Sequence, residues 1–294
     1  SASAIGRLIS SEGPTLLVSE HDHPEEFGVV TLNGNMVEAI LEKPSPHEVV
    51  GRVVSTGALK FPVLWREEFE RTVNAGMIGL PDALRNLLDN DVPIKSIRTD
   101  TWVDVDHPWD LIKMNATLLN RVQPSISEDA DIHSTVVITG RVHIGDGCII
   151  RPGTVIEGPV YIGNNCDIGP MAVITGSTTI ASGTRIGPFS RIRSSFLMED
   201  VQVDSGTWLQ RSVIGPASVL RSHVHVDVGE THKAGKVGDI HVRRLGLVTG
   251  EACTLEHGVI SAPGTILGSR VVVQRRVRIS GEHASGSEIQ SGGV

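Results

Sequence analysis

From Ile126 to Ile192 an isoleucine stands at every sixth position, and four residues after each comes a small or slim side chain such as Cys148, Thr154, Cys166, Ala172 or Ser190. Helices repeat at 3.6 residues and strands at 2, so neither alone keeps this phase. Six residues suit a short strand plus a tight corner, and three such units close a triangular coil of eighteen residues. Successive coils then stack at the inter-strand spacing of roughly 4.8 Å, with the isoleucines in an inward column. Frequent glycine after the isoleucine, as at Ile144-Gly145 and Ile162-Gly163, supplies corner conformations that other residues adopt at a cost. The pattern predicts a β-solenoid, stabilised chiefly between neighbouring coils. Met198 keeps the phase and Asp204 breaks it. After Ile214, Leu220 and Val226 comes the insertion "DVGETHKAGKVGDI", expected to project as a loop. The register then resumes through Val242, Val248, Thr254, Ile260, Ile266 and Val272.

The first 120 residues follow a different rhythm. "FGVVTL" and "MVEAILEKP" flank Asn33-Gly34, a hairpin signal. "RVVSTGALKF" and "IKSIRT" read as strands. Pro62 and Pro81 each open a helical stretch. "TWVDVDHPWDLIKMNATLL" turns at Asp104 to His107 into a helix whose apolar face is expected to be Leu111, Met114, Leu118 and Leu119. The division expected is 1–122 for the α/β unit, 123–280 for the solenoid, and a partly disordered tail over 281–294.

The balance of 26 basic against 34 acidic side chains argues against a general grip on nucleic acid or an anionic membrane. No run of eighteen apolar residues exists, so no membrane-spanning helix is expected. Three cysteines without CxxC spacing, and no basic-then-apolar leader, predict reduced thiols in a cytoplasmic protein. Cys148 and Cys166, one coil apart, are expected to stack as small core residues. "SASAIGRLIS" reads as a sequence entered partway through.

The six-residue pattern resembles the hexapeptide-repeat family, which implies a left-handed parallel β-helix. The order "FGVV", "LEKP", "STGALKF", "WVDVDHPWDLIKMNATLL" resembles the second half of the sugar-1-phosphate nucleotidylyltransferase domain, a partial, Rossmann-like α/β unit. Joined to the solenoid, the chain resembles an archaeal-type bifunctional nucleotidylyltransferase. That resemblance implies sugar-1-phosphate and nucleoside triphosphate as substrates, Mg²⁺ as cofactor, and a homotrimer or higher oligomer built through the β-helix. It implies that Gly28 and Gly57 lie on sugar-facing strands, that Glu42 accepts hydrogen bonds from sugar hydroxyls, and that Lys43 sits against the sugar phosphate. Asp104 matches the carboxylate that helps hold Mg²⁺. Ser55 stands where the family usually has asparagine, and Asp106 and His107 where it has glycine and threonine. Read without the wider pattern, Glu42-Lys43-Pro44 is a solvated strand end and Asp104 a helix cap.

The glycine-rich loop that cradles a triphosphate in this family has no counterpart here, since Gly145-Asp146-Gly147 lies in solenoid phase. The chain by itself is therefore expected to be inactive in nucleotidyl transfer. Two other readings stand beside this one. In the first the solenoid is an acyltransferase using acetyl-CoA. Ser205 and Val228 occupy the positions of that family's histidine and asparagine, with His223, His225 and His232 nearby. In the second the chain is a non-catalytic regulatory or oligomerising subunit.

Overall fold

The computed structural model describes residues 2–67, 70, 80–100, 102–235 and 238–290. The chain divides into two compact units, Ser1–Asp104 and Val105–Val294.

The first unit is built on helix α1 (Ala2–Ser10), strands β1 (Thr15–Glu20), β2 (Gly28–Asn33), β3 (Met36–Glu42) and β4 (Val53–Lys60), helix α2 (Leu80–Asp89) and strand β5 (Lys95–Arg98). The expected hairpin forms with Gly34 at φ +63°, the left-handed backbone its turn requires. β1, which the motifs passed over, is the hub: it pairs antiparallel with β4 and parallel with β5. The ring closes through β4 to β2 at Val29–Val54 and β3 to β5 at Met36–Lys95. Alternation along β1 sends Leu16 and Val18 into a core with Val30, Val37, Ile40, Ile94 and the α2 residues Leu84 and Leu87. Leu17 faces the other way and packs with Ala4 and Leu8 of α1. The helix expected from Pro62 opens with a 3-10 turn at Val63–Trp65, and most of its remainder lies outside the described residues.

The second unit is the predicted solenoid. Three parallel sheets stack strand on strand, and Ile162 pairs with Ile180 eighteen residues on. Ile144, Ile150, Ile156, Ile162, Ile168, Ile174, Ile180, Ile186 and Ile192 are all fully buried in one column. The small position does more than avoid crowding, because it also donates a hydrogen bond. The Cys148 thiol donates to Gly163 O (2.9 Å), the Thr154 hydroxyl to Gly169 O (3.1 Å), Ser190 to Asp204 O (3.0 Å) and Cys253 to Gly268 O (3.0 Å). Each ties one coil to a corner carbonyl of the next, so cysteine, serine and threonine are equivalent here.

Beyond Ile192 the expected register fails at several positions, although Ile214, Leu220 and Val226 are buried in the core as expected. Thr179 pairs with Phe196 and Phe196 with Val213, one residue short of a full coil each time. The shortening falls at the corners after Arg193 and Gln210, where Ser194 (φ +48°) and Arg211 (φ +45°) make the turn. A slip of one residue moves a strand's side chains to the opposite face. The inward file therefore runs through Leu197, Val203, Leu209, Leu255, Ser261, Leu267, Val273 and Ile279, all buried. Met198, Thr254, Ile260, Ile266 and Val272, expected inside, are half-buried or exposed. The insertion is an antiparallel hairpin, Gly229–Gly235 with Gly238–Leu245, rather than a loop. The end of the solenoid also differs from the expected 280, since Glu282–His283 and Glu288–Ile289 pair parallel with the strands of the preceding coil.

Helix α3 (Asp110–Leu119) lies on one solenoid face, together with the base of this hairpin. Its buried residues are Ile112, Asn115 and Leu119, while Leu118 is 52% exposed, so the buried stripe is rotated from the one expected. Ile112 packs with Val213, Leu245 and Val248. Asn115, 4% exposed, donates to Ser177 O (2.9 Å) and accepts from the Thr179 hydroxyl (2.6 Å). The helix is seated by a satisfied polar residue, which hydropathy alone ranks as outward-facing.

Candidate functional site

In the first unit, the hairpin end away from its turn carries the residues of interest. Gly28 is the cross-strand partner of Glu42. The Glu42 carboxylate lies over Gly28, with Oε2 only 2.9 Å from where a Cβ would stand. The glycine is thus required for close approach, its φ being ordinary. Lys43 follows with its N–H donating to Phe27 O (3.0 Å) and its backbone at φ +42°. This left-handed step bends the chain out of the strand, and Pro44 is buried directly after it.

Burial of the carboxylate raises the Glu42 pKa above the usual glutamate range. Lys43 opposes the shift, Asp82 adds to it, and Arg85 opposes it again. Glu42 as a residue still reaches solvent, so its carboxylate is partly desolvated rather than enclosed. Asp82 and Arg85 belong to α2, forty residues on, and Arg85 also donates to Ile40 O (3.4 Å). No spacing rule links them to Glu42. They meet it because Leu84 and Leu87 anchor α2 over the sheet core. The result is an acceptor carboxylate at the end of a strand, within electrostatic reach of two cations, Lys43 and Arg85, and of a second acid, Asp82.

Gly57 stands on a separate segment, at φ +76°, opposite the irregularity where β1 slips between Leu16 and Val18. A Cβ there would meet nothing within 4 Å, so backbone conformation alone calls for glycine. The Ser55 hydroxyl accepts the Gly57 N–H (3.2 Å). Asp104 is half-buried on the segment that follows Trp102. At the start of α3, Asp110 Oδ2 accepts the N–H groups of Asp106 (3.1 Å) and His107 (2.8 Å), which settles the local turn. The structure thus brings Gly28, Glu42 and Lys43 together and leaves Gly57 on β4 and Asp104 on the irregular segment after β5, within the same unit.

A cavity of about 610 Å³ opens where the parallel strands β1 and β5 end, lined by Ser19, Glu20, Arg98, Thr99, Asp100 and Trp102 among others. The Trp102 ring meets Phe27 edge-on at 5.2 Å, and Phe27 is the residue whose carbonyl holds Lys43. That contact joins the cavity wall to the Glu42–Lys43 corner.

Among the described residues no group of three or more His, Cys, Asp or Glu side chains could hold a metal ion. A single carboxylate such as Asp104 fits a hard cation that arrives with substrate phosphates and keeps water on its other positions. The solenoid histidines are dispersed. His223 lies over Gly206, His225 faces Asp227 at 3.3 Å, and His232 stacks on His241 across the hairpin. Ser205 shares a hydrogen bond with Ser222 at 3.2 Å. The three cysteines are free and buried.

The mixed sheet and the parallel β-solenoid that follows it in the chain make a two-part architecture. The family model described as Nucleotidyl transferase matches residues 7–121, and that described as GMPPB C-terminal domain matches residues 156–287. The chain is 33% identical over 285 residues to the protein named Bifunctional protein GlmU in Methanococcus maripaludis, covering 92% of this chain and 67% of that one. Its counterpart in a second strain of the same species is 38% identical over 267 residues, covering 87% and 64%. The chain belongs to this GlmU-like nucleotidyltransferase family. It spans about two-thirds of the length of the curated relatives it matches.

Proposed function

We propose that the first unit binds the sugar-1-phosphate of a nucleotidylyltransferase reaction, in which a sugar phosphate attacks a nucleoside triphosphate and pyrophosphate leaves. The supporting observation is the Gly28–Glu42 pair with Lys43 beside it. A carboxylate lying flat over a glycine offers two acceptor oxygens to sugar hydroxyls, with no side chain between it and an incoming ring. Lys43 and Arg85 both act electrostatically on that carboxylate, and their positive charge would neutralise a phosphate on the sugar's first carbon. Asp104 is proposed to hold Mg²⁺ with the nucleotide phosphates, the ion serving to neutralise their charge. Assembly through the solenoid into a homotrimer and a cytoplasmic location complete the proposal. Among the described residues no helix is long and apolar enough to cross a membrane.

Calorimetric titration with a panel of sugar-1-phosphates tests the sugar site. At least one member is expected to bind, with affinity at least tenfold lower for Glu42→Gln and for Lys43→Met. Binding that ignores both substitutions would overturn the assignment.

A further inference from the structure

The solenoid carries a cavity of about 820 Å³ far along the chain from the residues above, lined by His257, Gln274, Arg275, Arg276 and Gln290. These residues come from consecutive turns at one corner of the prism, where the Arg276 N–H donates to His257 O (2.8 Å). Arg276 adopts the left-handed conformation (φ +60°), and its stem lies over Gly258 of the coil before, Cγ standing 3.4 Å from where a Cβ would be. That packing fixes the root of the side chain while leaving its guanidinium at the cavity.

The charge at this corner is one-sided. Among the described residues no carboxylate lines the cavity, although the whole chain carries a formal charge of −8. Arg221 pairs with Asp204 at 3.6 Å and Arg278 with Asp227 at 3.0 Å, whereas other exposed solenoid arginines such as Arg270 make no ion pair among the described residues. Among the described residues Arg275 and Arg276 make no ion pair. Glu288, the acid of the adjoining strand, accepts from the side-chain amides of both Gln274 (2.8 Å) and Gln290 (3.0 Å). Two guanidinium groups and an imidazole therefore line a space large enough for a small molecule, with the amides of Gln274 and Gln290 engaged by Glu288 at its edge. Guanidinium groups carry a fixed positive charge that a bound anion neutralises. Their planar forks match phosphate oxygens two at a time.

We propose that this corner binds a diphosphate group, either free as pyrophosphate or carried on a nucleotide. The assignment is independent of the sugar site in the first unit. The test uses the whole chain bearing Lys43→Met, so that phosphate contacts at the first unit are weakened, titrated calorimetrically with inorganic pyrophosphate and, separately, with uridine diphosphate. Binding is expected for at least one probe, weakening at least tenfold when Arg275→Glu and Arg276→Glu are added. A nucleotide bound more tightly than pyrophosphate assigns the site to nucleotides, and the reverse assigns it to free pyrophosphate. Both arginines are exposed, so the fold is expected to survive, which circular dichroism verifies. Failure of both probes to bind the Lys43→Met chain, or binding that survives the double charge reversal in a folded protein, overturns the proposal.

Discussion

Glu42 and Gly28 face each other across β2 and β3, and the carboxylate occupies the space a side chain on Gly28 would need. Gly28→Ala places a methyl 2.9 Å from Oε2, which the flexible end of Glu42 can escape by swinging away. The fold is expected to lose less than about 1 kcal/mol, while the carboxylate leaves its position. Sugar-1-phosphate affinity should therefore fall about tenfold (about 1.4 kcal/mol) with little change in Tm. Titration and a thermal melt on the same sample separate the two effects.

The raised pKa of Glu42 gives a sign to the pH dependence. Its cause is first of all burial, so the charged form is disfavoured in the folded protein, and stability contributed by this group declines as pH rises through the raised value. Sugar binding runs the other way, because the carboxylate accepts from hydroxyls on both oxygens and more strongly than the acid, one of whose oxygens has become a donor. Affinity is expected to rise with pH across an inflection above the ordinary glutamate value of about 4.3. In Glu42→Gln that inflection should vanish, leaving the titration of the ligand phosphate.

Asn115 holds α3 through both ends of its amide. Asn115→Leu leaves the Thr179 hydroxyl and Ser177 carbonyl without this partner in a buried place. A loss of about 1–3 kcal/mol is expected in chemical denaturation, despite the more apolar residue. An unchanged or raised midpoint would show that the helix is held by its apolar contacts alone.

The shifted register has its own test in two isoleucines. Ile279, 2% exposed, belongs to the inward file, whereas Ile260, 37% exposed, lies on the outer surface. Ile279→Ala is expected to cost about 2–5 kcal/mol and Ile260→Ala less than about 1 kcal/mol. Equal losses would restore the unbroken six-residue phase.

The coils up to Ile192 were legible because one residue type repeats without interruption. The failure afterwards has a physical cause. Leu197-Met198, Ile266-Leu267 and Val272-Val273 are doublets, each offering two apolar residues for one inward place. A corner shortened by one residue at Ser194 therefore leaves no trace in the apolar pattern. The seat of α3 was hidden for a related reason, since a buried asparagine looks like surface until its partners are known. In the candidate site, the hairpin pair Gly28–Glu42 was readable from motif order. Asp82 and Arg85 were not, because their nearness to Glu42 comes from the packing of a helix distant in sequence.

A solenoid in which each coil touches only its neighbours can unravel turn by turn from an end. Here α3 and the hairpin base span the face formed by Phe196, Val213, Val248 and Ile266, crossing several coils at once. Such a strap makes the turns beneath it melt as one block. Amide hydrogens around Ile180 to Ile214 should accordingly exchange together and slowly, while those around Ile132 and Ile289 open earlier and independently.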